Sequence, residues 1–413
     1  MSIMSANGVA AGPGRAGVAP RVRKRGPDTV TVGGSEAPWP GNCDAVLAEL
    51  CPVLFASLPR SDQRRTGAQY LQGLLGVRGR KSIRNLATGL GPQANEQSLH
   101  HFINSSTWDW TPMRRALGHY VMRAAPPKAW VVRPMVVPKA GQHSVGVDRR
   151  FFPALGQVVN AQQAIGVWAS SGKLSAPVGW RLHLPRAWLE DMPRRNKALI
   201  PDELGAESMG DCAVEAVLEL TRDLGLPARP VLLDAREADA VTIVRRLSAA
   251  GLASLVRIGG DLHLCPTEPV VAKHAHRLLP PEVILNASPQ LRRPVTWTDH
   301  PAASAVRTSL VAAVRVTLPE AADAPNPGLV LLGVGAPRRE WPAQLWLTDL
   351  VNAQPAALLW LSRLIERVDR DCDGVGARVG IRDFTGRSFG GWHRHMTLAS
   401  AAHAVATVAA QTS

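Results

Sequence analysis

The sequence predicts an α/β fold built on a mixed sheet, preceded by a helical region and interrupted by a strand-rich segment. Three observations carry this. Residues 44–125 space their apolar side chains at three and four, as one buried helical face requires. From residue 129 short apolar runs follow one another closely, then alternate with amphipathic stretches, which suits a mixed sheet better than a wholly parallel one. Residues 261–345 are Pro-rich, with more strand-like runs and few helical ones, and read as a β-rich insertion.

In chain order, residues 1–40 are rich in Gly, Pro, Ala and Val and carry the basic run "RVRKRG" (Arg21–Gly26). No period persists there, so a disordered basic tail is expected. "CDAVLAELCPVLFASL" is helical, and "SDQRRTGAQYLQGLLG" predicts a helix with Ser61 as N-cap that ends on Gly76. A helix over about 82–89, a "GLGPQ" turn and a helix over about 94–104 make a helix-turn-helix candidate. That unit would project Asn95, Gln97, Ser98 and His101 toward base edges, with Arg80, Lys81 and Arg84 near phosphates. An ordinary helical hairpin fits the same pattern.

"AWVVRPMVVPKAGQHSVGV" (Ala129–Val147) predicts a buried strand ending at Arg133 and Pro134, a turn and a second strand, a hairpin-like opening to the α/β region. Further strands are expected at "AQQAIGVWAS", "GWRLHLP", "PVLLDA" and "ASLVRIG". "GDCAVEAVLELTRDLGL" and "READAVTIVRRLSAAGL" are amphipathic helices, and this α/β part runs to about residue 260. Residues 346–413 close the chain with two helices, "PAALLWLSRLIERVDRDC" and "HRHMTLASAAHAVATVAAQ".

The net charge of +14 points to a polyanionic partner, nucleic acid first, although a GC-rich coding sequence would also enrich Arg, Ala, Gly and Pro. Apolar runs break well before the ~18 residues a membrane span needs, and no secretory leader opens the chain. The five cysteines lie far apart without a CxxC pair, which argues against a zinc cluster and fits a reducing cytoplasm. No Ser-His-Asp or Cys-His arrangement stands out, and no small-molecule substrate is expected.

Two carboxylates draw attention. Asp234 closes the buried run "PVLL", where a charge is expensive unless a cation or donors meet it. Glu366 lies in the helix "LLWLSRLIERV". A strand-end Asp facing a helical Glu can hold Mg²⁺ or Mn²⁺ for phosphoryl transfer. The plainer alternatives are a helix N-cap for Asp234 and a surface ion pair with Arg363 or Arg370 for Glu366.

An ordered set of segments resembles the DDE-type insertion-sequence transposases. It comprises "DQRRTGAQYLQGLL", "RKSIRNLATGLG", "HHFINSSTWDW", "KAWVV…PKAGQHSVGV", "LGQVVNAQQAIGVW", "GWRLHLPRAW", "RPVLLDA", "WLSRLIER" and "GRSFGGWHRHMTLA". The resemblance spans about residues 55–405. It implies an RNase H-like domain that cuts and joins double-stranded DNA with Mg²⁺ or Mn²⁺, a homo-oligomer, and a cytoplasmic, nucleoid-associated location. It assigns the second and third metal-binding acids to Asp234 and Glu366, and gives Arg387, His393 and Arg394 as DNA contacts, with packing as the alternative for "GWHRHMTL".

The same resemblance exposes departures. Arg133, Pro134 and Met135 stand where the family writes Asp-Asp-Thr. Arg236, Glu237 and Ala238 replace a Gly-Tyr-Gly run, Asp373 replaces a phosphate-binding Lys, and Leu364 replaces an Arg. At ~4 Å and an effective dielectric near 20, a carboxylate attracts a unit charge by roughly 4 kcal/mol and a divalent ion by about twice that. Exchanging it for a cation therefore predicts poor metal binding and impaired cleavage. The alternative is an active enzyme that recruits another acid such as Asp148.

Overall fold

The computed structural model describes residues 38–39, 41–268, 277–298, 306–318, 328–335 and 341–411. The basic run Arg21–Gly26 lies outside them.

The helical region begins with α1 (Cys43–Leu54), whose first turn is capped by the Asn42 side chain accepting from the Ala45 N–H. Next comes α2 (Ser61–Gly76), with Arg60 rather than Ser61 at the N-cap position and no side-chain cap. Helix α3 (Ile83–Leu90) is capped by Ser82 and stopped by Gly91, whose φ of 76° favours glycine. A 3₁₀ turn leads to α4 (Glu96–His100), which runs on into a π turn at His101–Ser105. Helix α5 (Thr111–Ala124) completes the region. The two predicted helices around the "GLGPQ" turn are thus α3 and α4 with its π extension.

The α/β part contributes β1 (Ala129–Pro138), β2 (Val147–Phe152), β3 (Gln157–Ser170) and β4 (Ser175–Leu182). Two short helices, α6 (Arg186–Leu189) and α7 (Met192–Ala198), precede α8 (Met209–Arg222), β5 (Val231–Asp234), α9 (Ala240–Ala249) and β6 (Ser254–Ile258). The Pro-rich segment supplies β7 (Cys265–Pro266), α10 (Pro281–Asn286), β8 (Arg293–Thr298), β9 (Val306–Thr317), β10 (Leu329–Gly335) and β11 (Gln344–Thr348). Helices α11 (Pro355–Asp371) and α12 (Phe389–Ala409) close the chain.

Among the described residues these strands form one mixed sheet in the order β2-β3-β1-β5-β6-β11-β10-β9-β7, with β4 also on β3 and β8 also on β9. Strands β1, β5 and β6 run parallel, and the remaining pairs are antiparallel. This is the predicted mixed α/β arrangement. The strands of the Pro-rich segment extend the same sheet, because β11 pairs directly with β6.

The hairpin-like reading of Ala129–Val147 is corrected. β1 does not stop at Arg133 but continues to Pro138, and its partner is β3, not β2. Pairing with β5 extends only from Trp130 to Val132. Beyond that point β1 has a partner on one side alone, the edge setting in which a strand tolerates Pro134.

Helix α12 is buried all round, which explains why its sequence lacks a polar face. It packs on β4 and on α1, α2 and α5, so the helical region and the sheet share it. Trp130, Trp168, Trp180, Trp346 and Trp392 are among the largest fully buried side chains. Within the described residues no helix is long and apolar enough to cross a membrane.

Candidate functional site

The parallel register sets the site. Val132 lies opposite Leu233, and Asp234 lies opposite Arg257. One residue past the β1–β5 pairing, Arg133 therefore stands beside Asp234, and Arg133, Asp234 and Arg257 form a row across β1, β5 and β6. Strand alternation puts that row on one face, and α11 crosses the sheet there.

Side chains from α11 meet the row. Arg133 Nε donates to Asp369 Oδ1 at 2.8 Å, and Arg133 Nη2 lies 3.4 Å from Asp373 Oδ1. Arg382 Nη2 holds the same Asp373 oxygen at 2.5 Å. Glu366, one turn before Asp369 on the helix, accepts from Arg363 Nη1 at 2.7 Å. The simpler reading of Glu366, an ion pair with Arg363, is thus realised.

Asp234 is gripped by its own loop. Arg236 donates to it through Nη2 at 2.7 Å, through Nε at 3.0 and 3.1 Å, and through its backbone N–H at 3.2 Å. Arg257 Nη1 adds a contact at 3.6 Å. Burial pushes the Asp234 carboxyl up, but the hydrogen bonds and charge of Arg236, with the charge of Arg257, outweigh it and hold the group below the usual carboxylate range. The N-cap alternative for Asp234 fails, because α9 is capped by Asp239. Arg257 is drawn by Asp234, Glu366 and Asp369, but its burial and the repulsion of Arg236 outweigh them and lower its pKa.

The sequence profile of the DDE superfamily endonucleases matches residues 53–318. The chain belongs to that family. The matched span contains the row of Arg133, Asp234 and Arg257, whereas Glu366 and the rest of α11 follow it. No individual curated protein matches the chain.

The family acts on DNA and typically uses divalent metal ions, so the donors can be tested against that chemistry. Two-metal catalysis needs carboxylate oxygens free to bridge cations. Here Asp234, Glu366, Asp369 and Asp373 each already accept from a guanidinium. Among the described residues no group of three or more His, Cys, Asp or Glu side chains is placed to hold a metal ion. This donor set does not fit a divalent pair.

Asp148 does not repair it. Its β3 partner is Ala161, whereas that of Arg133 is Gly166, and β2 and β1 lie on opposite sides of β3. Five residues along and two strands across separate the positions by roughly 19 Å. Asp148 instead sits 3.9 Å from Arg150.

The expected DNA contacts divide into two groups. Arg80, Arg84, Gln97, His101 and Arg387 are exposed. Asn95 is also exposed, but its side chain caps α4 by accepting from the N–H groups of Gln97 and Ser98. Lys81 is buried; its N–H donates to Asp383 and its Nζ to the Val77 carbonyl, so it does not present its charge to phosphate. His393 and Arg394 are buried as well and are corrected to core roles. His393 stacks on Trp110 at 4.6 Å and accepts from Arg114 at Nδ1, while burial, with the charges of Arg114, Arg181 and Arg394, drives its pKa well below the ordinary value. Arg394 donates to the carbonyls of Trp108 and Ile103. These polar residues fasten α12 to the helical region. The sequence alone left Arg257 and Arg382 without a part in the site; the only signal was the alternation in "SLVRIG", which sets Arg257 in phase with the buried strand.

Proposed function

We propose that this chain is a DNA-binding protein of the transposase lineage whose metal-dependent cleavage and strand transfer are impaired. The observation that carries the reading is the bonding of Arg133 to Asp369 and Asp373, alongside Arg236 and Arg257 on Asp234. A divalent cation entering there must displace Arg236 from both oxygens of Asp234 and tolerate the charge of Arg133, Arg236 and Arg257 at close range. Asp234 and Glu366 take the places of the family's second and third acids, but as partners in an ion-pair lattice. DNA is engaged by Arg80, Arg84, Gln97, His101 and Arg387, the exposed members of the expected set.

The test is a nicking and strand-transfer assay on duplex DNA carrying element ends, with Mg²⁺ or Mn²⁺, run beside Asp234→Ala. The expected result is DNA binding with no metal-dependent cleavage above that variant. Nicking by the wild type that Asp234→Ala abolishes would overturn the reading.

A further inference from the structure

A small cleft lies between the loop after β1, the α6–α7 segment and the residues just before α12. It encloses about 70 Å³ and is lined by Gln142, His143, Trp188, Arg194, Lys197 and Arg387. One water needs ~15 Å³ of such space, so a phosphate group fits. Arg194 and Lys197, three residues apart on α7, meet Arg387 there from a distant segment, and no carboxylate lines the cleft.

Two further features mark it as built for an anion. Several arginines around the sheet are neutralised, as Arg133, Arg181, Arg236 and Arg246 are by neighbouring acids. Among the described residues Arg194, Lys197 and Arg387 have no carboxylate within ion-pairing distance. Arg194 is also held in place. Its guanidinium lies 3.7 Å from the ring centroid of buried Trp188, and Nη2 donates to the Gln142 carbonyl at 3.0 Å. Trp188 is anchored in turn by its Nε1 donating to the Val147 carbonyl at 2.9 Å. A planar cation fixed on an aromatic face loses little freedom when it pairs with phosphate.

Other cations lie nearby. Lys139, at the end of β1, donates to the Phe384 carbonyl at 2.6 Å, three residues before Arg387. It is close enough to Arg80, beside α3, to feel its charge. Arg80 and Lys139, with Asp383 beside them, thus lie near the segment that leads to Arg387 and the cleft.

We propose that this cleft is a phosphodiester-binding subsite, seating a DNA backbone phosphate against Arg194 with neighbouring phosphates on Lys197 and Arg387. The inference rests on the DNA-binding reading above and adds to it the place where the backbone is held. Affinity for a short duplex is measured against salt for the wild type, for Arg194→Gln/Lys197→Gln/Arg387→Gln, and for Arg222→Gln/Arg293→Gln/Arg315→Gln, which removes the same charge from α8, β8 and β9. Each phosphate neutralised on duplex DNA contributes about 0.9 to the slope of log affinity on log salt, so the cleft triple should lose about 2 to 3. The control triple should keep the wild-type slope. If the cleft triple melts early, Lys197→Gln/Arg387→Gln, both exposed, should still lose about 1.8. An unchanged slope in the cleft variants, or an equal loss in the control, overturns the subsite and, with it, Arg387 as a DNA contact, while Arg80, Arg84, Gln97 and His101 stand. A wild type whose binding is flat with salt overturns the DNA-binding reading and the subsite with it.

Discussion

Reversing the Arg133–Asp373 pair is the sharpest probe of the lattice. At 2.8 and 3.4 Å and an effective dielectric near 20, the attractions of Arg133 to Asp369 and Asp373 are nominally about 6 and 5 kcal/mol. Those carboxylates are 51% and 57% exposed, so water screens most of that, and Arg133, only 16% exposed, has lost hydration to be there. A net contribution of about 1–2 kcal/mol remains. Arg133→Asp removes it and sets a third carboxylate near two others, for an expected loss of about 2–4 kcal/mol. Asp373→Lys alone also destabilises, since it turns a positive end toward Arg133 and Arg382. Together the substitutions let Lys at 373 reach back to Asp at 133. The double variant should then be about 1–2 kcal/mol more stable than the sum of the single losses predicts. Urea unfolding of the four proteins reads this directly, provided the m-values stay equal. Additivity within about 0.5 kcal/mol would refute a direct coupling between the two positions.

Opening the acids should create a metal response: Arg133→Asp/Arg236→Gly is expected to gain a rise in melting temperature with Mn²⁺ that the wild type lacks, and the same flat response in both would count against the lattice as the obstacle. Asp234 has a folded pKa below the unfolded value of about 3.9, so its stabilisation is full above that pH and is lost as pH falls through the lower folded value. Arg236→Ala lets the folded pKa drift up, so stability should decline less steeply between about pH 5 and pH 2, as urea midpoints across that range will report. Arg394→Ala strands the carbonyls of Trp108 and Ile103 and should cost about 3 kcal/mol while leaving the salt slope of DNA binding unchanged. Arg80→Ala/Arg84→Ala should do the reverse, with stability within about 0.5 kcal/mol and a slope lower by about 1.8.

Much of the fold was legible because its signals are local. The helices from α1 to α5 and strands such as β3, β5, β6 and β10 follow from apolar spacing, and Asp234 at a strand end follows from "PVLL". What escaped reading is set by long-range pairing. The partner of β1 is β3 rather than the next run in sequence, and no periodicity encodes that choice. Between packing and DNA contact for "GGWHRHMT" the sequence could not choose, for a related reason. Polar residues usually mark a surface, but here Arg114, Tyr70 and several main-chain carbonyls answer them inside the core. The acids of the site were visible one by one, whereas their guanidinium partners lie on β1, on β6 and beyond α11, and only folding brings them together.

The charges that depart from the resembled family's pattern bear on how the site is held together. By the resemblance Arg133 falls at an acid's position and Asp373 at a lysine's, and the two lie 3.4 Å apart. Arg236, which the resemblance sets at a glycine's position, binds Asp234. An Arg introduced alone at position 133 would keep Asp369 but lack its second partner, a defect of about 1 kcal/mol. An Asp introduced alone at 373 would face only Arg382. Matched in this way, the charges let the fold bury part of Arg133 and Asp234 at little cost, and the stability that the lattice retains is what the urea series on positions 133 and 373 measures.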